Sequence, residues 1–180
     1  MVSFNALLSV VALGMAAAVS AAPNARRASP DNQVWVTNVK DHCLILPKHK
    51  ESIGDSERPG GTRSFCTKPY DGSQGQLNSD FWTEVHFKKT SKYVQLTGCI
   101  NPKVQSTLKL HDDGGQYDSN GGDGGKGNPR NSVCLGYAAY VELVEPSNRH
   151  ACIRCCHNPK DCNVNNDEDG CEAVIPGKYC

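Results

Sequence analysis

Glu84 and His86 stand two apart in the run Phe81-Trp82-Thr83-Glu84-Val85-His86-Phe87. In an extended strand that spacing sets both side chains on one face. An acid beside an imidazole is the pairing that general acid–base chemistry uses, and small secreted ribonucleases and glycosidases work with such pairs. On strict alternation Trp82 shares their face, while Phe81, Thr83, Val85 and Phe87 take the other. An exposed polar strand face has the same appearance, and the sequence identifies no second His, Arg or carboxylate to complete a site. No nucleophile elbow, zinc-protease helix motif or serine-triad signature is present. Catalysis by Glu84 and His86, as a small ribonuclease or glycosidase, therefore stands as one alternative to a non-catalytic binding role, and a structural secreted protein with no small ligand as another.

The binding role draws on aromatic and amide residues. A sugar site needs a ring face against the apolar side of the saccharide, with carboxylate, amide and backbone groups for its hydroxyls. Trp82, Tyr117 and Tyr137, together with Asp118, Asn120 and Asn128, supply those types and form the expected ligand-binding set. Tyr93 is a further aromatic on the neighbouring strand.

No metal site is expected. Asp112, Asp113, Asp118, Asn120 and Asp123 offer oxygen donors among glycines, and Asn165, Asp167 and Asp169 followed by Gly170 imitate the start of a calcium loop. The second stretch has Pro176 where a bidentate Glu is required, and the first fits no standard spacing. Turn-forming acids explain both better than calcium does. Cys152 and Cys155, with His157 nearby, have the spacing of a zinc knuckle, but a second paired knuckle is missing. The Gly-rich stretch 112–132 is no phosphate cradle, because no strand–glycine loop–Lys-Ser/Thr–helix order surrounds it.

These groups must be positioned by a small scaffold. Cys43, Cys66, Cys99, Cys134, Cys152, Cys155, Cys156, Cys162, Cys171 and Cys180 make an even set, which in an oxidising compartment reads as five bridges. Spacing alone does not choose the pairing. Bridging the neighbours Cys155 and Cys156 would strain the peptide between them, so they are expected to reach in different directions. Six of the ten cysteines follow His150, and that tail is expected to be pinned onto strands carrying Cys43, Cys66, Cys99 and Cys134.

Strands are expected at Gln33–Val39, Cys43–Leu46, Phe81–Phe87, Tyr93–Ile100 and Tyr137–Val144, the third and fourth forming an antiparallel hairpin. A long loop is expected over 47–75, a helical turn or two over 101–111, and no regular element in the Gly-rich stretch 112–132. The fold class is thus α+β or mostly β: a small antiparallel sheet of about five strands with long loops, stapled by disulfides. Aromatic residues make up only 7% of the chain, so the core should be modest and helped by covalent links.

The amino-terminal residues explain the cysteines. An apolar run from Ala6 to Val19, too short to span a bilayer comfortably, is followed by Val19-Ser20-Ala21; residues 1–21 read as a secretory signal. Arg26-Arg27 offers a dibasic processing site, making 22–27 a propeptide and 28–180 a single secreted, extracellular domain. Neither cut leaves the amino-terminal His that a copper oxygenase acting on polysaccharide needs. With 19 basic and 19 acidic residues, nothing in the overall charge favours nucleic acid or an anionic membrane as partner. Extracellular glycans or cell-wall polysaccharide are the expected partners, with no cofactor.

The blocks TGCINP, GGQYDSNGGDGGKGNP, YVELVEP and ACIRCCHNP, in this order, resemble a group of small secreted cysteine-rich proteins of mushroom-forming fungi. The likeness runs from about Val36 to the end. It implies an extracellular fungal protein and brings no catalytic residues to transfer. In size, cysteine richness and sheet content the chain also resembles the glycan-binding proteins of the ink cap mushroom type, which implies an antiparallel sheet flanked by helices and a dimer formed through that sheet. The residues themselves leave the oligomeric state open.

Overall fold

The computed structural model describes Met1 and residues 32–121, 124–166 and 168–180. The expected signal and propeptide, the Arg26-Arg27 pair, Asp123 and Asp167 lie outside the described residues. Within them no helix is long and apolar enough to cross a membrane.

The protein is mostly β, with about 10% helix. The main sheet has five antiparallel strands. β1 (Gln33–Val34) and β2 (Val36–Asn38) lead into β3 (Asp41–Pro47), a short helix α1 (Ile53–Ser56), β4 (Thr62–Cys66) and β5 (Gly75–Gln76). Then come β6 (Trp82–Lys89), β7 (Tyr93–Ile100), β8 (Gly115–Asp118), β9 (Val133–Cys134), β10 (Ala139–Glu145), β11 (His150–Cys156) and helix α2 (Gly170–Val174). The five-stranded sheet has the order β6-β7-β11-β10-β8, and a second sheet the order β2-β3-β4-β5; β1 pairs separately with β9.

Alternation along the central strands shows how the layers form. In β10, Tyr140 and Val144 face the second sheet, where they meet Leu44, Leu46, Ile53 and Phe65 in one buried cluster. Ala139, Val141 and Leu143 face the opposite way, into a second cluster with Cys162, Cys171, Val174, Ile175 and Tyr179. The main sheet is therefore covered on both sides, by the other sheet and by the carboxy-terminal segment. A sheet buried on both faces needs apolar residues at successive positions, which YVELV provides except at Glu142.

All ten cysteines are paired: Cys43–Cys66, Cys99–Cys180, Cys134–Cys155, Cys152–Cys171 and Cys156–Cys162. Cys155 and Cys156 do part, because neighbours in a strand point to opposite faces. The same geometry excludes the zinc knuckle: Cys152 and Cys155, three apart, also lie on opposite faces and in different bridges. One group does bring three metal-type donors together, Cys99, His150 and Cys180, but its two sulfurs are bonded to each other. The tail is pinned to earlier strands through Cys99 and Cys134, bonded to Cys180 and Cys155, but not through Cys43 and Cys66, which close on one another across β3 and β4. Much of what reads as tail is in fact β11, the central strand of the sheet.

Three further differences have local causes. The expected first strand breaks at Trp35, because Val34 pairs with Cys134 while Val36 pairs with His42. The expected loop after Pro47 contains α1, capped by Ser52 accepting from the Asp55 N–H at 3.2 Å, and β4. The Gly-rich stretch contributes edge strand β8, where Tyr117 and Gln116 pair with Glu142 and Leu143.

The expected hairpin is present, with a bulge. Trp82 pairs with Ile100 and Glu84 with Cys99, leaving Thr83 as the extra residue. Gly98 lies opposite Val85, and a Cβ there would overlap the Glu84 carbonyl and stand 2.9 Å from Val85 Cα. Gly98→Ala is expected to lower stability by about 1–3 kcal/mol, the usual range for forced overpacking. Urea unfolding measures it; an unchanged midpoint would mean that the edge strand yields freely.

Candidate binding groove beside Trp82

The bulge decides what Trp82 does. One extra residue switches the faces that follow it, so Trp82 and Val85 fall on the side of the second sheet while Glu84 and His86 turn toward the carboxy-terminal segment. The expectation that all three share one face is thereby corrected.

Trp82 is half-buried and packs against the core between the sheets. Its indole Nε1 donates to His42 Nε2 at 2.9 Å, and its ring stands edge-on to Phe81 with centroids 5.3 Å apart. An indole N–H only donates, so His42 Nε2 must carry a lone pair. The other imidazole nitrogen, Nδ1, then bears the hydrogen and faces the Asn38 carbonyl at 3.3 Å. His42 is fully buried. Burial pushes its pKa down to about 4, against smaller upward pulls from the Asn38 carbonyl and the Asp41 carboxylate. A neutral, single-tautomer histidine thus fixes the plane of Trp82 from beneath. Thr67 brackets the same residue, its hydroxyl accepting from the His42 N–H at 3.1 Å and donating to the His42 carbonyl at 3.2 Å.

Around the indole lies a groove of about 340 Å³, walled by Val39, Leu77 and Val85 and rimmed by Gln76, Asn78 and Ser79. The rim residues are exposed. Gln76 spends its amide N–H groups on the carbonyls of Cys66, Thr67 and Leu77, which fixes its oxygen in place. Asn78 accepts from the Asp80 N–H at 2.9 Å, leaving its amide nitrogen as a donor. Larger clefts of 620 and 780 Å³ have no Trp, Tyr or Phe in their lining.

The other expected ligand-binding residues do not gather here. Tyr117 is fully buried and bonds Ser56 Oγ at 2.6 Å; it offers no face to a ligand. Asp118 is 2% exposed and serves its own loop, accepting from the N–H groups of Asn120 and Gly121. Asn120 and Asn128 hold the same loop, Asn128 through main-chain bonds with Asp118 at 2.7 and 2.9 Å and Asn120 by accepting from Ser119 Oγ at 3.2 Å. Tyr137 is half-buried and stacks on His157 with centroids 4.6 Å apart. Two of the acids considered for calcium are engaged by local donors too. Asp112 accepts from the N–H groups of Ile53 and Gly114, and Asp113 from Ser147 Oγ.

Glu84 and His86 do meet, with Oε1 and Nε2 2.9 Å apart. The same imidazole nitrogen also faces the Tyr179 carbonyl at 3.1 Å, and Lys178 Nζ lies 3.2 Å from the same Glu84 oxygen. Lys178 and, after it, His86 hold the Glu84 carboxyl below its usual range. The pair clasps the carboxy-terminal segment against the sheet.

His42, Gln76 and Asn78 were not among the expected residues. His42 sits inside the apolar run of β3, where a histidine reads as core. Gln76 and Asn78 lie in a polar connection without a period, so only the tertiary fold brings them beside Trp82.

No protein-family model matches the sequence, and no solved structure matches it. Among curated proteins, the Appressorium protein ROW1 of the fungus Mycosarcoma maydis is similar, with 29% identity over 159 residues, covering 81% of this chain and 36% of that protein. The chain therefore spans about a third of the length of the curated relative that it matches. This similarity supports a fungal protein. A narrower grouping with mushroom-forming fungi does not follow from it.

Proposed function

We propose that this is a secreted, non-catalytic protein that binds glycans of a cell wall or host surface through the groove beside Trp82. The observation that carries this reading is the fixed indole: a half-exposed aromatic ring, oriented by a buried neutral histidine and ringed by amide and hydroxyl groups with spare capacity. That combination matches what a pyranose presents, an apolar ring face edged by hydroxyls. Preorganisation lowers the cost of binding. Five bridges with no free cysteine fit an oxidising extracellular compartment, and similarity to an appressorium protein fits a role at a fungal surface.

The hydrolase reading has the 2.9 Å contact of Glu84 with His86 in its favour. Both groups, however, are committed to holding Lys178 and Tyr179, and Trp82 faces away from them.

A glycan array, followed by chitin and β-glucan pull-downs with the oxidised protein, tests the proposal. Trp82→Ala and the rim variant Asn78→Ala/Ser79→Ala are each expected to weaken retention at least about tenfold, equivalent to about 1.4 kcal/mol. His86→Ala should retain the ligand. Retention is expected to survive EDTA; its loss would return calcium to the site. The rim residues are exposed, so their variant keeps the fold, and unchanged binding in it would overturn the assignment of the groove.

A further inference from the structure

Two clefts larger than the Trp82 groove adjoin, sharing Leu110 and His111 in their linings. One, of 620 Å³, is lined by Lys50 and Lys109. The other, of 780 Å³, is lined by Lys103 and Arg149 together with Asn101 and Asn148. A parallel bridge between Glu51 and Leu108 brings the two lysine-bearing loops side by side. Lys50, Lys103, His111 and Arg149 have no carboxylate partner among the described residues, and Lys109 has only Asp55 at 3.7 Å. The acids in the lining are already engaged: Asp112 by the N–H groups of Ile53 and Gly114, Asp113 by Ser147. Asp112 and Asp113 balance Lys50 and Lys109 in the first cleft, whereas no Asp or Glu lines the second beside Lys103 and Arg149, so in a chain with no net formal charge the joined channel carries its excess of cations at that end.

Arg149 adds a second observation. Its backbone lies in the left-handed region, with φ of 57°, where glycine or asparagine would sit more easily. The turn is held there by Arg149 N–H donating to Pro146 and its carbonyl accepting from Ile100. An unfavourable backbone site thus bears a long cationic side chain projecting beside an open cleft, the kind of local cost that persists at functional positions.

We infer that this channel binds an acidic polysaccharide, its cations taking carboxylate or sulfate groups and Asn101 and Asn148 taking the hydroxyls between. The inference rests on the glycan-binding reading above and extends it to a second, charge-selective subsite. Three features favour this occupant. The cations are spread along two joined clefts, which suits repeating charges better than one phosphate. No Trp, Tyr or Phe lines either cleft, and the single imidazole of His111 does not make the row of stacking platforms that single-stranded nucleic acid uses. Amides alternate with cations, as a polymer bearing both hydroxyls and acids requires.

Size-matched oligogalacturonate, a sulfated oligosaccharide, a neutral β-glucan oligosaccharide and a single-stranded RNA, titrated into the oxidised protein at two salt concentrations, test the inference. Binding of either acidic glycan is expected to exceed that of the neutral one and to weaken with salt; the comparison of the two shows which anion is read. Lys103→Ala/Arg149→Ala should lower acidic-glycan affinity about tenfold or more, since each charge-assisted contact is worth a sizeable part of such a step. Its affinity for the neutral glucan should not change. Arg149→Gly, which relieves the left-handed backbone, should melt no lower than the parent and still lose affinity. Neutral-glucan binding with no gain for either acidic probe would overturn this inference and leave the Trp82 groove standing. Silence on every glycan would remove both. Equal or tighter RNA binding, or intact acidic-glycan affinity in both variants, would also overturn it.

Discussion

Replacing Cys99 and Cys180 together by serine is expected to cost about 4 kcal/mol of stability, the most for any single bridge. The two residues are 81 apart in sequence, and a bridge closing so long a loop removes about that much entropy from the unfolded chain. The folded side should change little, because the terminal segment is seated independently. Thr97 Oγ1 donates to the Lys178 carbonyl at 2.6 Å, Gln95 Nε2 to the Pro176 carbonyl at 3.1 Å, and the Tyr179 hydroxyl reaches the carbonyls of Cys171 and Ile175 at 2.8 and 2.9 Å. Cys156→Ser/Cys162→Ser is the control: that bridge spans only 6 residues, and the same chain-entropy relation gives about 2 kcal/mol. Denaturant unfolding of both double variants at neutral pH should rank them in this order, with amide spectra of the Cys99/Cys180 variant unchanged away from the tail. The reverse order would show that packing in the folded state outweighs loop closure.

That bridge could not have been read from spacing, and the reason is instructive. What was legible were features carried by local pattern: the β6–β7 hairpin, the strand at β10, the divergence of Cys155 and Cys156, and the mostly β class. The misreadings came where a strand's environment removed its usual signature. β11 is buried on both faces, and cysteines occupy three of its seven positions, so ACIRCC reads as a cross-linked tail although Ala151, Ile153 and Cys155 face one cluster while Cys152 and Cys156 face the other. β8 begins in a glycine-rich stretch and is recruited by pairing with β10.

Of the residues lining the candidate groove, one was named from the sequence. Trp82 was expected to bind and does line a groove, but one inserted residue, Thr83, moved it away from Glu84 and His86; a bulge leaves no mark in hydrophobic alternation. Tyr117, Asp118, Asn120 and Asn128 were grouped because they are close in sequence. They are close in space as well, yet they satisfy one another and the core. The amides beside Trp82 come from a segment that nothing in the sequence ties to it.

His42 makes acid the condition that should most disturb this groove. Its pKa is about 4 in the folded protein against 6.5 for an ordinary histidine. As pH falls below 6.5 the unfolded chain takes up a proton that the folded protein refuses, so this contribution to stability is present above pH 6.5 and is lost progressively down to about pH 4. The shift corresponds to about 3 kcal/mol. Glu142 opposes it. That carboxyl is fully buried, and burial raises its pKa well above the usual range, only partly offset by the Ile45 N–H that it accepts at 3.0 Å. A raised acid favours the folded state below its unfolded pKa and loses that advantage as pH rises through the folded one. Glu142→Gln removes the opposing group, so the variant should be more stable than the parent under alkaline conditions and should lose stability more steeply between pH 6.5 and 4. Imidazole NMR signals of His42 should titrate near pH 4 in both proteins. Once protonated, Nε2 can no longer accept from the indole, and Trp82 loses its anchor. Tryptophan fluorescence and glycan retention should therefore change together with that midpoint. Titration of His42 near pH 6.5, or retention that holds unchanged through its protonation, would show that the histidine does not set the indole.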